Sequence, residues 1–176
     1  WCGTAGGINK STDGGLSWTK FSHQNQAQPI LGNWVIAIDE QRYAEKQRIW
    51  TTNWKAQDEA EQFGVSYTED GGRTWNNMLH GVRAYDFAFK DSIAYIATDD
   101  GIYRTADGGL SFIKASIFAD SAGHHLLSQP NVFCVSVIAD TVILGTGDGL
   151  VTTVDNPTHP FGSSWKVFRA YREVGT

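Results

Sequence analysis

The sequence predicts an all-β chain built from four short antiparallel modules in tandem. Three observations carry this. Four segments of the chain match one another at a fixed internal spacing. The composition couples seven Trp, six Tyr and nine Phe to nineteen Gly, with a single Met; aromatics fill pleated faces and Gly supplies tight turns. No stretch sustains a helical apolar period, and the best helical candidate, Tyr43 to Arg48, is short and polar.

The matching segments begin at Gly7, Gly64, Gly101 and Gly149 and reach Asp13, Asp70, Asp107 and Asp155. Each reads Gly, aliphatic, two variable positions, Ser/Thr, any residue, Asp. The first three continue alike, as Gly14-Gly15-Leu16-Ser17-Trp18, Gly71-Gly72-Arg73-Thr74-Trp75 and Gly108-Gly109-Leu110-Ser111-Phe112. In the fourth, an insertion from Pro157 to Phe161 precedes Gly162-Ser163-Ser164-Trp165.

Upstream of each shared Gly lies a short run ending in Thr: Trp1 to Thr4, Ile49 to Thr52, Ile93 to Thr98 and Thr141 to Thr146. Three of these are preceded by another strand-like run, Trp34 to Asp39, Ala84 to Lys90 and Val132 to Ala139. The unit is therefore strand A, strand B, strand C, turn, strand D, a four-stranded meander of the kind that forms a propeller blade. The expected blades cover residues 1–22 (without a strand A), 33–80, 82–116 and 131–170, with 171–176 as an exit or closing segment. Because the first residues read as the middle of a repeat, a piece of a larger protein is expected. An open run of blades is favoured over a small closed ring, in which Tyr171 to Val174 would complete the first blade, because small rings demand strongly wedged blades.

The segments Ser11 to Trp18, Thr68 to Trp75 and Thr105 to Phe112 resemble the Asp-box, or BNR repeat, with its pattern Ser/Thr-x-Asp-x-Gly-x-Thr/Ser-Trp. The resemblance implies that the motif lies on the C–D turn at the blade periphery. Asp13, Asp70, Asp107 and Asp155 then have a structural role: their carboxylates accept backbone N–H groups of the turn. The aromatics Trp18, Trp75, Phe112 and Trp165 are expected to pack over those turns. Propellers with this motif include sorting receptors, photosystem assembly factors and some glycosidases.

Turns A–B and C–D on one face leave the B–C and D–A connections on the other. Three B–C connections are minimal (Ala5-Gly6, Asp99-Asp100, Gly147-Asp148), whereas Asn53 to Phe63 is long, as are the D–A segments Ser22 to Asn33 and Ser116 to Asn131. Long loops within compact repeats point to the working face. The expected ligand-binding residues there are Trp34, Trp54, Glu59, Glu61, His124 and His125, with Asp58, Asp99, Asp100 and Asp148 as weak catalytic candidates. Aromatics mixed with carboxylates suit sugar rings and equally suit a protein partner. Trp54 anchoring its own loop is the structural alternative.

These features support a non-catalytic recognition or scaffold module of a secreted, periplasmic or cell-surface protein, binding a glycan or protein and completed by the remaining blades or domains of its parent. The alternative is a fragment of a glycoside hydrolase acting through paired carboxylates. A sialidase-like site has little support, because Arg42, Arg48 and Arg73 fall on the wrong face. The formal net charge of -5 excludes a general nucleic-acid binder, and no apolar run approaches the roughly 18 residues of a membrane span. No cofactor and no metal site are expected. Cys2 and Cys134 have no metal-ligand spacing and read as two small buried hydrophobes, with a disulfide only if the fold brings them together.

Overall fold

The computed structural model describes residues 1–169. Every regular element is a strand, and all strand pairs are antiparallel. Sheet 1 has three strands, β1 (Cys2–Thr4), β2 (Gly7–Lys10) and β3 (Thr19–Phe21). Sheet 2 contains β4 (Trp34–Tyr43), β5 (Lys46–Trp54), β6 (Gly64–Thr68) and β7 (Asn76–Met78). Sheet 3 contains β8 (Ala84–Lys90), β9 (Ile93–Thr98), β10 (Gly101–Thr105) and β11 (Ile113–Ala115). Sheet 4 contains β12 (Val132–Ile138), β13 (Thr141–Thr146), β14 (Gly149–Val154) and β15 (Lys166–Phe168). Within each sheet the strands follow chain order.

The shared Gly that opens the third strand of each unit has a steric reason. Gly7, Gly64, Gly101 and Gly149 all have φ between 113° and 152°. A Cβ on Gly101 would lie 2.2 Å from the Ala115 carbonyl oxygen, and one on Gly7 2.3 Å from that of Phe21. The outer strand crosses too close for any side chain. The residue paired with each Gly explains the upstream Thr: Thr4, Thr98 and Thr146 donate to the carbonyls of Gly7, Gly101 and Gly149 at 2.8–2.9 Å, closing the two-residue connection. In sheet 2 this position is Asn53, whose side chain instead donates to the Gly32 carbonyl at 2.9 Å. The longer loop starts where the Thr latch is missing.

One boundary differs from the sequence expectation. The segment between Asp39 and Ile49 is strand, not connection: β4 and β5 pair to Tyr43↔Lys46 and turn through Ala44, φ 47°, and Glu45. Arg42 and Arg48 therefore lie on strands. The extension is polar because its tip is solvated; two of its residues are buried, Arg48 over the Tyr43 and Tyr67 rings, and Gln41, accepting from Trp50 Nε1 at 3.0 Å and donating to the Asp91 carbonyl at 2.8 Å.

Three apolar interfaces join the sheets in series. Ile8, Val35 and Trp75 sit between sheets 1 and 2; Trp50, Val65 and Phe87 between 2 and 3; Tyr95, Ile102, Val132 and Leu144 between 3 and 4. The sheets form an open array. The ring-closing alternative through Tyr171 to Val174 lies outside the described residues.

Each inner strand carries a β-bulge near its start, between Val35 and Ile38, Ala84 and Asp86, and Val132 and Cys134. The bulge leaves Ile36, Tyr85 and Phe133 unpaired and re-aims them away from the ladder.

Cys2 and Cys134 are exposed and unpaired, which corrects the reading of both as buried. They lie on the outward faces of the first and last sheets, where no other described residue covers them.

Candidate functional site

The Asp-box turns have one network, repeated three times. Asp70 Oδ1 accepts the Thr74 N–H at 3.0 Å and Oδ2 the Thr74 hydroxyl at 2.7 Å, while Thr68 Oγ1 accepts the Gly72 N–H at 2.9 Å. Asp13 with Ser11 and Ser17, and Asp107 with Thr105 and Ser111, repeat it. Hydrogen bonds from Ser17 and Ser111 hold the Asp13 and Asp107 carboxyls at about 2. At Asp70 partial burial opposes ionisation, and the bonds from Thr74, Thr68 and Arg73 still bring it to about 2. Every carboxylate oxygen is engaged in its own turn.

Asp155 departs from this role. The insertion after Asn156 removes the turn it would close, and its carboxylate crosses to sheet 3, where it accepts from Tyr95 Oη and from Arg104 Nε at 2.6 Å. Burial, then the Asp155 contact, raises the Tyr95 pKa. Two box aromatics have partners beyond their own turns. The backbone N–H groups of Trp75 and Trp165 donate to a long D–A segment, at the Gln28 and Ala119 carbonyls, and each ring packs with the apolar residue that segment inserts, Ile30 or Phe118, while Trp165 also lies against Gly162 of its own turn. Trp18 has no such segment over it: it is largely exposed and donates to Gly15 of its own turn at 3.0 Å. Phe112, in the unit entered by a short connection, stays half-buried against Tyr103.

The loop-bearing rim contains a cleft of about 710 Å³ between sheets 1 and 2. It gathers the Ala5-Gly6 turn, Lys20 and Gln24, Asn33 and Trp34, and Ala56, Gln57, Asp58 and Glu61 of the long loop. Glu61 organises it. At 3% exposure its carboxylate accepts Ala56 N at 2.6 Å, Asn33 Nδ2 at 2.6 Å, Asn33 N at 3.3 Å and Gln24 Nε2 at 3.3 Å. Burial opposes ionisation here, but these donors hold the pKa below its ordinary value. Glu61 is thus a buried tie between two loops, not the surface ligand group expected of it. No sequence signal marks it, because three of its four donor bonds come from a segment 28 or more residues away.

The other expected residues divide. Trp34 is 47% exposed at the cleft edge and meets Trp54 edge-on at 6.0 Å. Trp54 is half-buried among Trp34, Phe63 and Tyr85 and donates to the Ala84 carbonyl at 3.0 Å; it fastens its loop to sheet 3. Glu59 is exposed. Asp58 lies in the cleft, held below its ordinary pKa by the Ala60 N–H and Gln24. Asp148 is elsewhere, bound to Ser128 of the other long segment, whose N–H keeps its pKa low. Asp100 is ion-paired to Lys114, and Asp99 accepts the Arg83 N–H at 3.3 Å. His124 and His125 belong to the segment over sheets 3 and 4, where His124 lies 3.1 Å from Asp120; neither lines the cleft. The structure therefore splits the expected face into two places and leaves the four carboxylates unassembled.

The chain resembles solved β-propellers. An ancestral GH74 enzyme superposes with a TM-score of 0.66 at 16% identity, covering 95% of this chain and 22% of that one. A gluconolactonase from Xanthomonas campestris gives 0.57 at 14% identity, covering 92% and 54%. This chain thus spans about a fifth and about half of those proteins. At these identities the likeness shows the fold alone: the chain is an open run of β-propeller blades. No protein-family model matches it, and no curated protein does.

Proposed function

We propose that the chain is a non-catalytic recognition module of an extracellular or cell-envelope protein that binds a glycan in the cleft between sheets 1 and 2. The observation that carries this is the cleft itself, which places a half-exposed Trp34 beside Gln24, Asn33, Gln57 and Asp58. An aromatic face stacks on the C–H face of a sugar ring, and amide and carboxylate oxygens accept its hydroxyls. The Glu61 tie fixes the loops beforehand, which lowers the ordering cost of binding.

A hydrolase reading has weaker support. Acid catalysis on a glycosidic oxygen uses a carboxyl whose pKa is raised, whereas Asp58 and Asp148 are shifted downward by hydrogen bonds.

Affinity electrophoresis or calorimetry against soluble neutral and acidic polysaccharides tests the proposal, with Trp34→Ala and Gln57→Ala alongside. The expected outcome is binding to one glycan class, weakened roughly tenfold by loss of the stacking face, with no release of reducing ends. Retained binding in both variants would remove the cleft from consideration. Silence across the panel would favour a protein partner. Trp54→Ala is unsuited to this test because it also unfastens the loop.

A further inference from the structure

We infer that the outward face of sheet 4 is the docking surface for a further antiparallel sheet of the same make. The repeat supplies the argument. The residue after the shared Gly is Ile8, Val65 and Ile102 in sheets 1 to 3, each 0% exposed beneath the following sheet. The same position in sheet 4 is Leu150, 43% exposed. Its cross-strand partner Phe168 is 57% exposed, where the corresponding Met78 is buried. Ile143 occupies the place of the buried Trp50 and Tyr95. An apolar surface built position for position like three covered ones continues the same series of interfaces.

The covered faces also define the occupant. Each is entered by an inner strand with two apolar residues three apart across a bulge: Val35 and Ile38, Ala84 and Phe87, Val132 and Val135. Such a strand lies against the first two strands of the sheet before it, β8 on β4 and β5 and β12 on β8 and β9, so its place on sheet 4 is along β12 and β13, beside Ile143 and Cys134, while the groove of about 420 Å³ lined in part by Thr152, Val154 and Phe168 lies over the outer strands. A second copy docking head to tail does not fit. Among the described residues sheet 1 has no inner strand, and its outward face presents Cys2, Thr4 and Asn9 to the apolar patch.

Cys134 reports on the covering. It pairs with Gly145 on this face, as Asp86 pairs with Ala97 in sheet 3. Asp86 lies under the next sheet, accepting the Val135 N–H at 3.0 Å. Cys2, on the far end of the array, is an internal control.

The test extends the full chain after Thr176 with a second copy of residues 131–169, the added Cys134 replaced by Ser, and follows iodoacetamide alkylation of the two original thiols. The expected result is a fall of roughly tenfold or more in the Cys134 rate, with Cys2 unchanged and Leu150→Lys in the extended chain restoring it. Unchanged Cys134 reactivity, or an added segment that stays protease-labile, overturns the proposal. So does protection of Cys134 in the unextended chain that rises with concentration, which would make a second copy the occupant. In the unextended chain Leu150→Lys leaves the melting temperature unchanged, whereas Ile102→Lys abolishes folding; a large loss from Leu150→Lys would mean that the face is already covered.

Discussion

Asp13, Asp70 and Asp107 hold their turns as anions, so their contribution has a definite pH window. Their folded pKa values, about 2, lie below the unfolded value of about 3.9. The stabilisation is present above the unfolded value and is lost as pH falls from about 4 toward 2. Melting temperature should be flat from neutral to pH 5 and drop below 4, and Asp107→Asn should flatten that acid limb; an unchanged limb would show that these turns do not drive acid unfolding. Gly101→Ala forces a Cβ against the Ala115 carbonyl and a strained φ, and should cost about 2 kcal/mol in denaturant titration. Asp155→Ala leaves Arg104 and Tyr95 without their shared acceptor. Breaking such a half-buried pair should cost about 3 kcal/mol, more than the same change at the exposed Asp13.

Elements show why some of this was legible in the sequence and some was not. The strands beside each box could be read because Gly, Thr and Asp recur for local reasons, a close crossing and a side-chain latch. The β4–β5 extension was missed because a solvated hairpin tip has no apolar alternation to betray it. The two long D–A segments read as rim loops, yet part of each runs beside the outer strand of the next sheet and inserts Ile30 or Phe118 against the box Trp. Their apolar residues come only in pairs, such as Ile30-Leu31 and Ile117-Phe118, too short for a periodicity to reveal them. This makes Phe118 a core residue in loop clothing. Phe118→Ala should cost about 3 kcal/mol, and limited proteolysis should then cut within 116–131 before any strand. The cleft residues Trp34 and Asp58 were found by position on long loops, whereas Glu61 was assigned to the surface because its donors are distant in sequence.

At the scale of the whole molecule, stability passes from neighbour to neighbour, because each sheet buries its faces only against the next. Sheet 1, with three short strands, has the fewest partners and should open first. Hydrogen exchange is the check: amides of β1 to β3 should exchange ahead of those of β5, β9 and β10, and uniform protection across the array would mean that it unfolds as one unit. Trp50→Ala, at the centre of the interface between sheets 2 and 3, should separate the array into two unequal halves that melt apart.

The bulges at the start of β4, β8 and β12 set three side chains outside the ladder. Ile36, Tyr85 and Phe133 hold no cross-strand partner, so their identity is uncoupled from the pairing that builds the sheets. A residue freed in this way can be exchanged without breaking a ladder bond, within the one limit that position 85 stays aromatic to keep its packing on Trp54. Three such positions, one per sheet and equivalent in register, amount to a set of dials: the chain can be retuned toward a new ligand by changing them while the blades that carry them stay as they are.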